Sequence, residues 1–200
     1  MVRLYIETNF LLSIATGRDS LAYNLLENPP TSVQIAIPSI CCMEALSALE
    51  DEVKRRNRFG NELNLQISQL QRDTTSVFAQ SLLFHLKQSI VENGGLINDV
   101  QSRLFQGLNL ITNKAEIITL TNNMLEESLR SRLIATDFTD NLILQCILQD
   151  ALLSNEVKVF LSGNVKEFGE VKNILHDFGI VKYFTNTQDF LRWLNSQSES

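Results

Sequence analysis

Carboxylates stand at the ends of several apolar runs, where they could act together. Glu7 directly follows the apolar run at residues 2–6, and Glu44 lies one turn into a helix that follows a second apolar run. Asp140 begins another helix, and Glu167 lies in the loop after a later apolar run. Carboxylate oxygens are hard ligands that suit Mg²⁺ or Mn²⁺, and a bound metal ion can activate water against a phosphodiester. Because carboxylates packed without a cation repel one another, this set predicts a divalent-metal site.

Alternating strands and helices must bring these side chains together. Five short apolar runs are predicted as strands, at residues 2–6, 33–37, 115–120, 157–161 and 180–184. Helical patterns separate them, which favours an α/β fold: a three-layer α/β/α sandwich with a central parallel sheet of four to five strands. Ligands of such sheets bind just beyond the carboxyl ends of the strands, where the acidic residues are expected.

The middle of the chain is predicted to be a helical elaboration of a single domain that covers residues 1–200. This elaboration covers about residues 60–110: amphipathic helical spacing predicts a long helix or a broken pair at residues 62–93, followed by another helix at residues 96–108. Asn93-Gly94-Gly95 is the predicted stop between them, because glycine adopts the left-handed conformation that ends helices. Thr139 is the predicted N-cap of the helix that begins at Asp140.

Composition limits the class of protein. The net charge of −6 argues against broad adhesion to nucleic acid, although clustered catalytic carboxylates remain compatible with a nuclease. Three cysteines, an odd number within apolar runs, favour free thiols in a reducing compartment, so a cytoplasmic location is expected. Glu7 interrupts the first apolar run too early for a signal peptide, and no apolar run approaches the roughly 20 residues that span a bilayer.

Four short motifs carry a family resemblance. They are the segment at residues 4–12 with Glu7-Thr8-Asn9, the Ile37-Pro38-Ser39 segment with Glu44, the segment Asp140-Asn141-Leu142-Ile143-Leu144, and the segment at residues 160–168. In this order, each at a predicted element boundary, they resemble the PIN domain family of metal-dependent ribonucleases, which includes toxins of bacterial toxin–antitoxin pairs. The resemblance spans nearly the whole chain.

The resemblance implies a fold, a cofactor and a site. It implies an endoribonuclease that uses Mg²⁺ or Mn²⁺ to hydrolyse phosphodiester bonds of single-stranded or structured RNA, with an antitoxin-like protein partner and a homodimer as further expectations. The implied metal ligands are Glu7, Glu44 and Asp140, and Glu167 or Asn164 would complete the catalytic set. The implied substrate-orienting residues are Thr8, Asn9, Ser162 and Asn164, with Asp137 as a second-line acid.

Two departures from the family pattern keep an alternative open. Glu7 stands where the family usually has Asp, and Asn164 stands where an acid is expected. The alternative is a catalytically degenerate PIN-like module that binds RNA or a protein. A third interpretation, a flavodoxin-like regulatory domain, would need a phosphoacceptor Asp at a strand end, where this chain has Glu7.

Several of these residues also have ordinary structural interpretations. Thr8 could cap the helix that follows it, Ser162 could form a turn, and Asp140 could simply stabilise a helix dipole. The basic run at residues 54–58 is interpreted as a solvated helix end, with a path for RNA as the less favoured interpretation.

Overall fold

Five parallel strands form the centre of the computed structural model, which describes residues 1–198. They are β1 (Val2–Ile6), β2 (Val33–Pro38), β3 (Ala115–Ile118), β4 (Val157–Leu161) and β5 (Ile180–Phe184). They form one sheet in the order β3-β2-β1-β4-β5, and every neighbouring pair is parallel. Helices flank the sheet, which confirms the predicted three-layer α/β/α fold. The third strand ends two residues earlier than its apolar run predicted.

The helices follow the strands in alternation. They are α1 (Thr8–Thr16), α2 (Ala22–Glu27), α3 (Ser39–Leu70), α4 (Val77–Lys114), α5 (Asn122–Arg130), α6 (Phe138–Leu153), α7 (Val165–Phe168), α8 (Lys172–Asp177) and α9 (Thr187–Ser198). Gly17 ends α1 with a φ of 68°, in the left-handed region that glycine enters without a steric cost.

Strand β1 lies at the middle of the sheet and of the core. Leu4 pairs with Ile35 of β2 on one side and with Val159 of β4 on the other. Leu4, Tyr5 and Ile6 are fully buried. A parallel strand covered on both faces is apolar along its length, which is why residues 2–6 were recognisable as a strand.

One charged residue of β1 is also buried, and it holds three elements together. The Arg3 guanidinium donates to Asp150 of α6 through Nε at 2.8 Å and through Nη2 at 3.1 Å, and to Glu116 of β3 through Nη1 at 2.8 Å. The Tyr5 hydroxyl donates to the same Asp150 carboxylate at 2.7 Å. The carboxylates raise the pKa of Arg3, so the buried guanidinium stays charged and paired.

The chain divides into two compact units. One consists of Met1–Ala45 and the chain from Leu104 onward, and it contains the sheet. The other is Leu46–Arg103, a helical hairpin made from the adjoining parts of α3 and α4. The interpretation as one domain with a helical elaboration stays a prediction, and its boundary at residue 200 lies outside the described residues.

The helix break predicted within this hairpin was wrong. Gly94 and Gly95 lie inside α4, which is continuous from Val77 to Lys114. The turn instead lies between α3 and α4, where Asp73 Oδ1 accepts hydrogen bonds from the Thr75 and Ser76 amides at 3.1 and 3.0 Å. Such Asx turns offer backbone groups an alternative to the helix, so Asp73 and not the glycine pair ends the first helix.

Asn93, next to the glycine pair, lies buried in the hairpin. Its side-chain amide donates to the Arg56 carbonyl at 3.0 Å. No helix within residues 1–198 is both long and apolar enough to cross a bilayer.

Candidate metal and active site

The candidate site lies at the carboxyl edge of three neighbouring strands. Glu7 comes directly after β1, Glu44 lies in the second turn of the helix that follows β2, and Ser162 comes directly after β4. Because these strands are adjacent and parallel, their carboxyl ends meet at one edge of the sheet. Asp140 reaches the same group of charges from the first turn of α6.

Glu7 is a fully buried carboxylate with one unused oxygen. Its Oε2 accepts a hydrogen bond from the Asn9 amide at 2.7 Å and so caps α1. Its Oε1 is buried and has no hydrogen-bond partner among the described residues. Burial raises the pKa of Glu7 to about 7, the Asn9 amide and the nearby Ser162 hydroxyl oppose the shift, and the charges of Asp140 and Glu44 add to it.

Glu44 is held by a residue next to Glu7. The Thr8 hydroxyl donates a short hydrogen bond to Oε2 of Glu44. Thr8 is buried, and it lies in the first turn of α1 and does not cap it, because Glu7 occupies the capping position. Glu7 therefore supplies a carboxylate to the site, and Thr8 orients the carboxylate of Glu44 in α3.

Asp140 is nearly buried and is oriented by a residue of the fourth motif. Its Oδ2 accepts a hydrogen bond from the Asn164 side-chain amide at 2.8 Å. Burial is the largest cause that raises the pKa of Asp140 to about 6, the charges of Asp137, Glu44 and Glu167 raise it further, and the Asn164 hydrogen bond opposes them.

The two remaining acids have partners of their own. Asp137 is the N-cap of α6, since its Oδ1 accepts from the Thr139 amide at 2.8 Å and from the Asp140 amide at 3.1 Å. The prediction that Thr139 caps this helix was wrong, because the helix begins at Phe138, two residues earlier than predicted. Glu167 accepts a short hydrogen bond from the Thr136 hydroxyl, which is the main cause that lowers its pKa, and pairs with Lys166 at 3.2 Å.

The comparison with known families decides between the interpretations of the fold. A sequence profile described as the PIN domain matches residues 4–168, which is more than half of the chain. The chain belongs to the PIN domain family. PIN domains are generally nuclease-like, they generally depend on a divalent metal, and the family suggests RNA-related binding. A search of curated proteins gives no significant match.

The matched range of this PIN domain contains every acid predicted for the site, from Glu7 to Glu167. The geometry divides them into two sets. In one set, the charges of Asp140 and Glu44 contribute to the raised pKa of Glu7, and the charge of Glu44 contributes to the raised pKa of Asp140. Asp137 and Glu167 are engaged in a helix cap and an ion pair, respectively, and contribute only their charge to Asp140.

Two of the polar residues predicted to orient the substrate of this PIN domain, Ser162 and Asn9, form hydrogen bonds within the protein. Ser162 forms the turn after β4, because its hydroxyl accepts from the Asn164 amide at 3.0 Å. Its carbonyl accepts from the Tyr183 hydroxyl at 2.9 Å, and burial raises the pKa of Tyr183 to about 12. Asn9 acts through its backbone amide on Glu7, which leaves its side chain available.

Sequence reasoning missed one buried polar residue of this PIN domain, Asn141. Its Oδ1 accepts from the Leu133 and Ile134 amides at 2.9 and 3.1 Å. Its amide donates to the Ser128 carbonyl, the Ser128 hydroxyl and the Ser131 carbonyl. Asn141 thereby fixes the segment that leads into α6 and sets the position of Asp140. A polar residue at the buried start of an otherwise apolar helix was the available signal.

The donor set of the site suits a hard cation in some respects. The charges of Asp140 and Glu44 add to the raised pKa of Glu7, and Glu7 offers an oxygen that has no hydrogen-bond partner among the described residues. Within residues 1–198, however, no group of three or more His, Cys, Asp or Glu side chains is already arranged to hold a metal ion. Mg²⁺ keeps several of its waters and needs only one or two carboxylates directly, so contacts through water fit this arrangement.

The basic run at residues 54–58 of this PIN domain lies inside α3, not at a helix end as predicted. Lys54 pairs with Asp51 at 2.9 Å, and Arg55 and Arg56 pair with Glu52 at 2.8 and 2.7 Å. Three of the four cations of this run are therefore paired with two acids of the same helix.

Proposed function

We propose that the protein is a metal-dependent endoribonuclease that hydrolyses RNA phosphodiester bonds with Mg²⁺ or Mn²⁺. The observation that carries the proposal is Glu7: a fully buried carboxylate with an unpartnered oxygen, whose pKa is raised in part by two further carboxylates. A buried charge without compensation is costly, so such an arrangement favours a role that a cation would balance.

The residues of the chain have separate tasks in this proposal. Glu7, Glu44 and Asp140 would hold the ion, directly or through water, and Asn164 or Glu167 would complete the set. Thr8 and Asn164 orient Glu44 and Asp140 through side-chain hydrogen bonds, which reduces the reorganisation needed when a charged ligand arrives. When bound, the ion would polarise the scissile phosphate and lower the pKa of an attacking water.

Burial supports the same tasks. Because Glu7 is fully buried and Asp140 is nearly so, water competes little for their oxygens, and electrostatic interactions in the site are stronger than in bulk solvent. With a pKa of about 7, Glu7 can exchange a proton near neutral pH when no metal is bound. Metal binding and proton release at Glu7 are therefore expected to be coupled.

The test is cleavage of a labelled single-stranded RNA by purified protein with Mn²⁺, Mg²⁺ or EDTA. We expect cleavage with either ion, none in EDTA, and roughly a 100-fold slower rate for Glu44→Gln, because a ligand loses its charge while its shape is retained. Glu50→Gln, which changes an exposed acid of the same helix, is the matched control and should cleave like the unaltered protein. Absence of cleavage with Mn²⁺, together with unchanged metal binding by Glu44→Gln, would refute the proposal.

A second candidate function rests on Asn164. This amide occupies the position where a fourth acid is expected, and it donates to Asp140 instead of adding charge. A degenerate PIN-like module that binds RNA or a protein would tolerate this change. Calorimetric titration separates the candidates, since the module should show no specific divalent site.

The proposal also includes a toxin role, a homodimer and a cytoplasmic location. A toxin role with an antitoxin-like partner is one subcase of the endoribonuclease, and a homodimer is expected from the family resemblance. A cytoplasmic location agrees with three free cysteines, of which Cys41 and Cys146 are buried.

A further inference from the structure

A cavity lies beside the acidic group, on the side of β5. Its volume is about 420 Å³, within the range of roughly 300–1,000 Å³ that is usual for small-molecule sites. It is formed by the start of α1, the loop between α1 and α2, and the segments that follow β4 and β5. All of these segments belong to the unit that contains the sheet.

Two residues connect this cavity to the proposed site. Asn9 lines the cavity, and its backbone amide holds Glu7. Gly163 also lines it and stands between Ser162 and Asn164. A chain bound at the acidic residues therefore has the cavity within reach of its next unit.

The cavity wall has an apolar part and a polar part. Phe10 and Leu161 contribute apolar surface, while hydroxyl, amide and charged groups contribute the rest. Asp19 lines it as well, and its two carboxylate oxygens accept from the Leu21 amide at 3.0 Å and the Thr187 amide at 3.1 Å. A carboxylate inside the cavity disfavours an anion there and favours a neutral group with hydrogen-bond donors.

Two polar groups at the cavity lack partners. Thr187 is fully buried and lines the cavity, yet its hydroxyl has no hydrogen-bond partner among the described residues. A buried hydroxyl without a partner carries a desolvation cost, which a ligand that supplies a partner removes. Arg18, exposed at the cavity, makes no side-chain ion pair or hydrogen bond within residues 1–198.

We propose that this cavity binds one unpaired nucleotide of the RNA substrate, next to the bond that is cut. The base enters the cavity against Phe10 and Leu161 and meets Thr187 and Asp19 with its polar edge. Arg18 contacts the phosphate of the same nucleotide. This subsite rests on the proposed function, because it takes RNA as the substrate.

A base in the cavity and a phosphate at Arg18 agree with the way proteins recognise single-stranded RNA. Single-stranded RNA is recognised through bases that leave the stack, enter pockets and form hydrogen bonds along their edges. Phosphate contacts position the strand, and base contacts specify it. The cavity therefore makes the enzyme prefer a single-stranded site and select among bases at one position beside the cut.

The test measures binding of a fluorescein-labelled single-stranded RNA hexanucleotide by anisotropy in EDTA, where no cleavage occurs. Arg18→Ala should weaken binding roughly tenfold and reduce the dependence of log Kd on log salt by about one. Thr187→Val keeps the shape of the side chain, and it should weaken binding about two- to tenfold without lowering the melting temperature. A merely structural role of the hydroxyl would instead lower the melting temperature and leave binding unchanged.

Two exposed residues that do not line the cavity serve as matched controls. Arg130→Ala removes an exposed cation of α5, and Thr31→Val alters an exposed threonine before β2; both should bind RNA like the unaltered protein. The proposal is overturned if the unaltered protein does not bind the RNA, or if Arg18→Ala and Thr187→Val bind within twofold of it.

A parallel cleavage assay with Mn²⁺ keeps the two proposals distinguishable. Cleavage with the same base preference in all variants would contradict the proposed subsite and support the proposed endoribonuclease activity. RNA binding that depends on Arg18 and Thr187, without any cleavage, would support the proposed subsite and contradict the proposed endoribonuclease activity.

Discussion

The side-chain amide of Asn164 donates a hydrogen bond of 2.8 Å to Oδ2 of Asp140. This contact joins the loop after β4 to the first turn of α6, and it opposes the rise of the Asp140 pKa that burial and neighbouring charges cause. An acid at position 164 would instead add a like charge beside Asp140. The amide thus stabilises the ionised form of Asp140 while it supplies no charge for a cation.

Asn164→Asp should therefore strengthen metal binding and weaken the metal-free protein. We expect roughly tenfold tighter Mn²⁺ binding, because the number of charged ligands tunes affinity for hard cations. In EDTA at pH 8 the same variant should melt at a lower temperature, since a second carboxylate repels Asp140. Calorimetry and thermal melting measure the two effects. Asn164→Ala is the control, and equal affinities for the two variants would contradict the account.

Glu7→Gln should change how the stability of the metal-free protein depends on pH. The folded-state pKa of Glu7 is raised from 4.5 to about 7, so the native state binds more protons than the unfolded state between these values. The free energy of unfolding must therefore fall as pH rises through this window. At about 1.4 kcal/mol per pKa unit, Glu7→Gln removes a fall that approaches about 3 kcal/mol.

Urea unfolding in EDTA at pH 4.5 and pH 8 measures this difference. The variant should gain stability relative to the unaltered protein at pH 8 and little at pH 4.5, because Gln keeps an acceptor for the Asn9 amide. Glu50→Gln, at an exposed position of α3, should leave the dependence on pH unchanged. Parallel curves for Glu7→Gln and the unaltered protein would show that burial does not shift this carboxyl.

Asp137 should prove to be a helix cap and not a metal ligand. Asp137→Ala should lower the free energy of unfolding by about 1 kcal/mol, the usual cost of losing a cap. Asp137→Asn, which can still accept the Thr139 and Asp140 amides, should cost much less. Neither variant should change Mn²⁺ affinity by more than about threefold. Loss of the Mn²⁺ site in both variants would instead assign Asp137 to the metal.

The strand ends and their acids could be predicted from the sequence because both are local properties. An apolar run such as residues 2–6 is needed for a strand buried on both faces, and Glu7 follows it directly. The partners of the acids could not be predicted. Thr8 and Glu44 are 36 residues apart, and Asn164 and Asp140 are 24 apart, so only the packing of strands and helices brings each pair together.

The helical hairpin shows where local propensity fails. Gly94 and Gly95 predicted a helix end, yet both are exposed in α4, and a Cβ at either would meet no atom within 4 Å. Their intrinsic cost is about 1 kcal/mol each. Asn93, beside them, is buried and donates to the Arg56 carbonyl of α3, so tertiary packing opposes that cost. Asp73 is the residue that marks the end of α3, because its side chain can accept hydrogen bonds from the amides of a turn.

Arg3→Met should destabilise the fold without affecting the site. Removing the buried guanidinium leaves Asp150 with the Tyr5 hydroxyl as its remaining partner among the described residues, and breaking a buried ion pair typically costs about 3 kcal/mol or more. Combining it with Asp150→Asn should restore part of the loss. Urea unfolding measures the change, and Arg130→Met, at a residue with an exposed side chain, should cost less than about 0.5 kcal/mol. Equal losses for Arg3→Met and Arg130→Met would contradict this role.

The central claim is that Glu7, Glu44 and Asp140 form one divalent-metal site. Calorimetric titration of Mn²⁺ into the metal-free protein at pH 7.5 tests it most directly, with Asp140→Asn and Asp137→Asn titrated in parallel. The account predicts a specific site that Asp140→Asn abolishes or weakens at least tenfold and that Asp137→Asn retains. A titration with no specific site in the unaltered protein, or with equal affinity in Asp140→Asn, would contradict it.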